Sequence, residues 1–163
     1  MPQYEIERKF ILTRKPVELL TGVPGEEIRQ GYLLLEADRE LRIRQRAGQC
    51  SMTLKSGQGL KRQEQECAIS QAQFEMLWPL TAGRRVEKVR YALRWQGYDL
   101  EIDLFTGALA PLMVLEVEFA TVAAAMDFVP PEFAGRDLTA DKAYKNAALA
   151  SHGLPLEMES ADE

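Results

Sequence analysis

Charged side chains recur in this sequence as pairs two residues apart, and each pair carries one sign of charge. In an extended strand, residues i and i+2 point to the same face, so the two like charges of a pair lie side by side and repel each other. The acidic pairs are Glu5 with Glu7, Glu64 with Glu66, Glu101 with Asp103 and Glu116 with Glu118; the basic pairs are Arg42 with Arg44 and Lys88 with Arg90, and Lys9 and Lys55 lie on similar strands. Acidic pairs therefore lie on some strands and basic pairs on others. Such a face suits a ligand that combines hard cations, which carboxylates bind, with a multiply charged anion, which basic residues bind.

The residue types favour a complex of a divalent metal with a polyphosphate. Carboxylate oxygens without accompanying histidine or cysteine select Mg²⁺ or Mn²⁺ over zinc. Arginine offers forked donors that match phosphate oxygens, and lysine offers a compact charge. A solvated strand face with cross-strand ion pairs explains any single pair equally well. It is the sorting by sign across many strands that favours the ligand.

Other chemistry is excluded or disfavoured by composition. His152 is the single histidine, which excludes histidine-based triads and histidine-rich metal sites. Cys50 and Cys67 stand apart without CxxC spacing, so they form neither a zinc site nor a disulfide framework, and we expect both to be part-buried thiols. With 20 Lys and Arg against 25 Asp and Glu, the net charge is −5, which disfavours double-stranded nucleic acid as a partner.

The charged pairs lie on runs that alternate between apolar and polar residues, and this alternation predicts about eight antiparallel strands. Cap and stop signals predict helices over Gln71–Trp78 behind Ser70, a short turn behind Thr121, and Ala140–His152 between Thr139 and Gly153. Eight strands suffice to close a barrel around one small ligand, with covering helices on the outward apolar faces. The predicted strands are Gln3–Leu12, Ile28–Leu35, Glu40–Ala47, Cys50–Ser56, Arg62–Ile69, Arg84–Trp95, Tyr98–Phe105 and Leu112–Ala120.

The fold class predicted is therefore mainly β (α+β), an eight-stranded antiparallel barrel with a few helices. A chain of 163 residues that is 46% hydrophobic can bury one sizeable core, which predicts a single domain over residues 1–153 and an acidic, disordered tail over 154–163. The charged N-terminus lacks the apolar run of a secretory signal, and nothing approaches the roughly 20 apolar residues that span a bilayer. We therefore expect a cytoplasmic protein without a membrane partner.

The ordered set of charged motifs resembles the CYTH superfamily, also called triphosphate tunnel metalloenzymes. The segment Glu5-Ile6-Glu7-Arg8-Lys9-Phe10 looks like the ExExK signature of that family. The later motifs follow in the family's order, and the small stand-alone bacterial members are the most similar. These motifs are Arg42-x-Arg44, Thr53-Leu54-Lys55, Glu64-x-Glu66, Glu87-Lys88-Val89-Arg90-Tyr91, Glu101-x-Asp103, Glu116-Val117-Glu118 and Asp141-Lys142-x-Tyr144-Lys145-Asn146.

The resemblance implies a tunnel that binds a triphosphate and requires Mg²⁺ or Mn²⁺. Carried over by residue, Glu5, Glu7, Glu116 and Glu118 hold the metal, and Asp103 with Glu64 or Glu66 lies near a second ion or the attacking water. The phosphates are bound by Lys9, Arg42, Arg44, Lys55, Lys88 and Arg90. Lys142 or Lys145 reaches a tunnel mouth from the last helix, and Tyr32 orients Lys9.

Among family activities, the sequence favours hydrolysis of inorganic triphosphate, because it offers no recognisable base pocket. An adenylate cyclase, a nucleoside triphosphatase and a thiamine triphosphatase are the enzymatic alternatives. A non-catalytic polyphosphate-binding module is the alternative from another class. Pairing of two copies into a homodimer is left open.

Overall fold

The computed structural model describes residues 6–57 and 63–159. Nine strands of a mainly antiparallel sheet and a few short helices make up this part of the chain, which confirms the mainly β class. The strands are β1 (Ile6–Leu12), β2 (Glu26–Leu35), β3 (Arg39–Arg46), β4 (Gln49–Ser56), β5 (Gln63–Ile69), β6 (Arg85–Trp95), β7 (Tyr98–Phe105), β8 (Met113–Phe119) and β9 (Ala134–Asp137). The α-helices are α1 (Val17–Leu20), α2 (Gln71–Leu77), α3 (Val122–Asp127), α4 (Asn146–His152) and α5 (Leu156–Glu159).

The first eight strands agree with the predicted spans to within about two residues, apart from the predicted starts of the first and the fifth, Gln3 and Arg62, which lie outside the described residues. The ninth strand was not predicted. β9 is four residues long, and its sequence, Ala-Gly-Arg-Asp, has no apolar alternation. It forms by pairing with β1, where Phe10 lies opposite Asp137 and Leu12 opposite Ala134. Tertiary pairing, not local pattern, therefore creates this strand.

The helix predicted over Ala140–His152 is wrong in its first half. The α-helix begins at Asn146 and is preceded by a 3₁₀ turn over Lys142–Tyr144. Thr139 is not the N-cap, because its hydroxyl oxygen accepts a hydrogen bond from the backbone N–H of Lys9 at 3.0 Å. The predicted stop is confirmed, since Gly153 follows the helix with φ of 75°.

The described part of the chain divides into two compact units. The first contains the described residues of Met1–Gly25 and Val89–Lys142, and the second contains those of Glu26–Lys88 and Ala143–Glu163. Strand β6 contributes its first four residues to the second unit and the remainder to the first.

In the first unit, β6, β7, β8, β1 and β9 lie side by side in that order. One face of these strands packs an apolar core around Phe128, which lies just after α3. The Phe128 ring is in edge contact with those of Tyr98, at 4.9 Å, and Phe119, at 5.3 Å between centroids. The buried core residues are Phe10, Leu12, Leu20, Leu100, Ile102, Leu115, Val117, Phe128 and Phe133.

In the second unit, β5, β4, β3 and β2 lie in that order, and α2 covers part of one face. Phe74 and Trp78 stack at 5.2 Å and pack with Ile43 and Cys50, so the predicted covering role of this helix is confirmed. Both cysteines were predicted to be part-buried, but Cys50 is buried under α2, and Cys67 is exposed because β5 is exposed along most of its length. Both cysteines are free thiols.

Near the end of the described chain, α5 forms a short helix whose Glu157 carboxylate accepts a hydrogen bond from the Tyr144 hydroxyl at 2.5 Å. The single domain over residues 1–153 and the disordered tail over 154–163 stay predictions. No helix within residues 6–57 and 63–159 is both long and apolar enough to cross a membrane.

Replacing Ser70 by alanine is expected to lower the free energy of unfolding by about 1 kcal/mol. The Ser70 hydroxyl accepts from the Gln73 N–H at 3.0 Å, and the Gln73 side chain accepts from the Ser70 N–H at 2.8 Å, so α2 starts with a complete capping box. Urea denaturation measures the loss. Ser151→Ala, at an exposed position within α4, is the matched control, and an equal loss in both variants would contradict the capping assignment.

Candidate functional site

Strand register brings the predicted acidic residues of the first unit onto one face. Glu7 lies directly opposite Glu118, Lys9 opposite Glu116, and Glu116 in turn opposite Glu101. Directly opposed residues of antiparallel strands share a face, and alternate residues along a strand share it too. The charged face of the first unit therefore carries Glu7, Lys9, Glu101, Asp103, Glu116 and Glu118, opposite the face that packs the apolar core.

Arg90 from β6 is held at the centre of this charged face by three carboxylates. Its Nε and Nη2 donate to Asp103 at 2.8 and 2.9 Å, its Nη1 lies 2.6 Å from Glu101, and its Nη2 lies 3.9 Å from Glu116. Asp103 is only 1% exposed. Burial alone would lower the pKa of Arg90, but the hydrogen bonds to Asp103 and the charges of Glu101 and Glu116 raise it above the usual arginine value. Arg90 is thus a permanently charged and well-positioned cation.

The oxygen donors of the charged face suit a hard divalent cation. Glu7 faces Glu118 and Glu101 faces Glu116, and two carboxylates placed directly across a strand pair repel unless cations lie near them. Lys9 Nζ, 3.5 Å from Glu116, and Arg90 supply part of that positive charge. Glu5, another predicted metal ligand, lies outside the described residues. Among the residues described, no group of three or more His, Cys, Asp or Glu residues is close enough to hold a metal ion.

The predicted basic residues of the second unit also share one face. Arg42 lies opposite Tyr32 on one side and Thr53 on the other, while Arg44 lies opposite Gln30 and Ser51. The Arg42 Nε is buried and has no hydrogen-bond partner in the described stretches of the chain. The polar and charged residues of this face include Gln30, Tyr32, Glu40, Arg42, Arg44, Arg46, Ser51, Thr53, Lys55, Glu64 and Glu66. Its buried, underused guanidinium donor is suited to an anion.

The remaining predicted residues of this unit take distinct positions. Lys55 lies opposite Glu64, and Glu66 accepts a hydrogen bond from the Thr53 hydroxyl at 3.3 Å. Lys88, near the middle of β6, is only 2% exposed. Lysine is almost never fully buried unless its charge is compensated, and the phosphate-binding role of Lys88 stays a prediction.

Tyr32 is 1% exposed, and its hydroxyl accepts a hydrogen bond from Gln30 Nε2 at 2.9 Å. Burial raises the pKa of Tyr32, although the charge of Arg42 and the hydrogen bonds from Gln30 and Arg42 oppose the rise. The predicted orientation of Lys9 by Tyr32 stays a prediction. Sequence reasoning missed Gln30, which is 0% exposed. The available signal was a polar residue two positions before Tyr32, on the same strand face.

Lys142 and Lys145 were placed on a helix by sequence, but both precede it. Lys142 lies in the 3₁₀ turn and Lys145 is the N-cap residue of α4 in extended conformation. Both are exposed. Their reach toward a substrate stays a prediction.

An open cavity of about 710 Å³ lies in the second unit. Two predicted site residues, Arg44 and Glu66, line it together with Arg46, Ser51 and Cys67 among others. Arg44 and Arg46, both on the charged face of the second unit, are therefore accessible from this cavity.

Comparison with known proteins gives a consistent result. Residues 3–125 match the CYTH domain family. The chain is 52% identical over 148 residues to an inorganic triphosphatase of Nitrosomonas europaea, covering 90% of this chain and 96% of that protein. It is 31% identical over 150 residues to an inorganic triphosphatase of Acetivibrio thermocellus, covering 91% of this chain and 94% of that protein.

A similar structure is also known. The crystal structure of an inorganic triphosphatase superimposes with a TM-score of 0.80 and 45% sequence identity, covering 94% of this chain and 98% of that one. Sequence and structure thus agree over nearly the full length of both proteins. With its charged strand faces, its sheet and these relatives, the chain belongs to the CYTH domain family.

Proposed function

We propose that this chain hydrolyses inorganic triphosphate to pyrophosphate and phosphate. The observation that carries the proposal is the 52% identity, over 90% of the chain, with an inorganic triphosphatase. The charged faces support it, because one combines carboxylates with the fixed cation Arg90 and the other presents arginines and lysines.

In the proposed reaction, water attacks a terminal phosphorus of triphosphate as the bond from that phosphorus to its bridging oxygen breaks. The bridging oxygen leaves with pyrophosphate, and the water oxygen remains on the released phosphate. Such a transfer needs little covalent participation by protein, so positioning and neutralisation of charge supply most of the rate.

The basic residues of the second unit would bind the phosphates. Arg42 and Arg44 offer forked donors, and Lys55 and Lys88 offer point charges. The buried Nε of Arg42, which lacks a partner within the chain segments described, is available to a phosphate oxygen. In the first unit, Lys9 and Arg90 would stabilise charge on the phosphates.

Carboxylates take two roles in this proposal. Both oxygens of Asp103 accept from Arg90, so we assign Asp103 first to orienting that guanidinium. Glu64 lies on exposed β5, opposite Lys55, and is the candidate for positioning the attacking water. Glu66 lies two residues further along β5, on the same strand face as Glu64. Glu66 and Asp103 also remain predicted metal ligands.

Mg²⁺ or Mn²⁺ would be held by Glu5, Glu7, Glu116 and Glu118. Their all-oxygen donor set suits these ions. When bound, the ion would neutralise phosphate oxygens and lower the pKa of a water ligand. The predicted closure of the strands into an eight-stranded tunnel, and the pairing of two copies, rest on the family resemblance and belong to the proposal.

A substrate panel tests the function. Purified protein is incubated with tripolyphosphate, pyrophosphate, ATP or thiamine triphosphate, each with Mg²⁺, with Mn²⁺ or with chelator, and both phosphate and cyclic AMP are measured. We expect the fastest phosphate release from tripolyphosphate, and its loss when chelator replaces the metal. A preference for ATP or thiamine triphosphate, or formation of cyclic AMP, would assign one of the alternative activities. Binding of tripolyphosphate without turnover would indicate the non-catalytic module.

A further inference from the structure

We propose that Gln30 is a positioning residue, which sets the hydrogen-bond polarity of Tyr32 and anchors Arg44; this inference rests on the proposed function. Gln30 lies in β2 on the charged face of the second unit and is 0% exposed. A fully buried carboxamide is costly unless both its ends are hydrogen-bonded. Here both ends contact residues that are themselves candidates for substrate binding or catalysis.

The direction of each hydrogen bond follows from the chemistry of the partners. Arg44 Nε lies 2.8 Å from Gln30 Oε1, and Gln30 Nε2 lies 2.9 Å from the Tyr32 hydroxyl. Because a guanidinium has donors and no acceptor, the carboxamide oxygen must face Arg44. Its NH₂ group must then face Tyr32 and donate to it. Arg44 therefore fixes the orientation of Gln30, and Gln30 makes the Tyr32 oxygen an acceptor.

Arg42 is compatible with this arrangement, because it lies directly opposite Tyr32 and, as a guanidinium with donors only, cannot accept the Tyr32 hydrogen. With its oxygen accepting from Gln30, Tyr32 keeps its own hydrogen for donation to another group. The hydroxyl is neutral at ordinary pH, and burial raises the pKa of Tyr32 further above its usual value. Among the described residues the Tyr32 hydroxyl donates no hydrogen bond, and Glu40 is a carboxylate of the same face whose charge also raises the pKa of Tyr32. A phosphate oxygen, which can only accept from a neutral hydroxyl, satisfies this donor.

Two donors therefore await an anion on the same face, the Tyr32 O–H and the buried Arg42 Nε–H. The two residues lie directly opposite each other on β2 and β3. Gln30 does not itself contact the phosphate. It acts by keeping the Tyr32 hydrogen and the Arg44 guanidinium in place.

Two substitutions at position 30 change the hydrogen bonds to Arg44 and Tyr32 in different ways. Methionine has a similar length but removes both hydrogen bonds. Glutamate can still accept from Arg44, but its carboxylate would also accept the Tyr32 hydrogen and so withdraw it from the phosphate. Gln30→Glu should then resemble Tyr32→Phe in its loss of activity toward triphosphate.

The test is a double-mutant cycle of Gln30→Met with Tyr32→Phe, with Gln45→Met as the matched control. Gln45 lies on the other face of the second unit's strands, where it bonds Arg29 and Gln71. We expect kcat/KM for tripolyphosphate to fall about tenfold in each single variant and by clearly less than their product in the double variant. The control should change kcat/KM by less than about twofold. Calorimetric titration with tripolyphosphate and thermal melts accompany every variant.

Multiplicative losses in the cycle, or an unaffected Gln30→Met, would overturn the positioning role. If Gln30→Met fails to fold, the cycle is run with Gln30→Glu and judged by the same criterion. If the wild-type protein binds tripolyphosphate without hydrolysing it, the proposed function fails, and the cycle is then read from the dissociation constants. A wild-type protein that neither binds nor hydrolyses tripolyphosphate would overturn both proposals.

Discussion

Replacing Asp103 by alanine is expected to lower the free energy of unfolding by about 3–5 kcal/mol, because it leaves the buried Arg90 guanidinium without its hydrogen-bonded carboxylate partner. Asp103 is 1% exposed, and both its oxygens accept from Arg90. Glu101 and Glu116 stay near the guanidinium in the variant, but neither replaces the lost pair of hydrogen bonds. Activity should fall as well, since Arg90 is proposed to contact phosphate. Urea denaturation and a tripolyphosphate assay measure the two effects.

Two further variants separate lost charge pairing from lost packing. Asp103→Asn keeps the shape and one acceptor oxygen, so its stability loss should be smaller than that of Asp103→Ala. The double variant Asp103→Leu with Arg90→Met removes both charges and should recover much of the stability while remaining inactive. A loss below about 1 kcal/mol in Asp103→Ala would contradict the view that this buried pair anchors the charged face.

Replacing Lys88 by alanine is expected to lower kcat/KM for tripolyphosphate by about a hundredfold or more. Lys88 is 2% exposed on β6 and belongs to the predicted phosphate-binding set. A buried ammonium group interacts strongly with developing negative charge, because the surrounding dielectric is low. Steady-state kinetics at saturating Mg²⁺ measure the loss. Thermal melting is recorded in parallel to separate it from unfolding.

Lys15→Ala is the matched control for this experiment. Lys15 is an exposed lysine in the segment between β1 and α1, outside both charged faces. Its removal should change kcat/KM by less than about twofold. Equal, small effects of the two substitutions in folded protein would remove Lys88 from the proposed site.

Most of the sheet was predictable because alternation is a local property. β7, with apolar Leu100 and Ile102 between acidic residues, occupies the predicted span. The elements that were missed depend on distant partners. β9 exists through pairing with β1, and Thr139 bonds the backbone of β1 instead of capping a helix. No local pattern encodes either contact.

In the candidate site too, local patterns could be predicted and contacts between distant residues could not. Alternation predicted which charged residues share a face on each strand, but the register that sets Glu7 opposite Glu118 and Lys9 opposite Glu116 needs the paired structure. Gln30 escaped notice because it carries no charge. Its importance appears only once β2 and β3 are paired and its amide is seen between Arg44 and Tyr32.

Hydrolysis of inorganic triphosphate by this chain can be followed by ³¹P NMR of the reaction mixture. With Mg²⁺ present, we expect the tripolyphosphate signals to decay while those of pyrophosphate and phosphate grow in equal amounts. With chelator in place of the metal, the spectrum should stay unchanged. Tripolyphosphate that persists with both Mg²⁺ and Mn²⁺, in the presence of folded protein, would contradict the proposed hydrolysis.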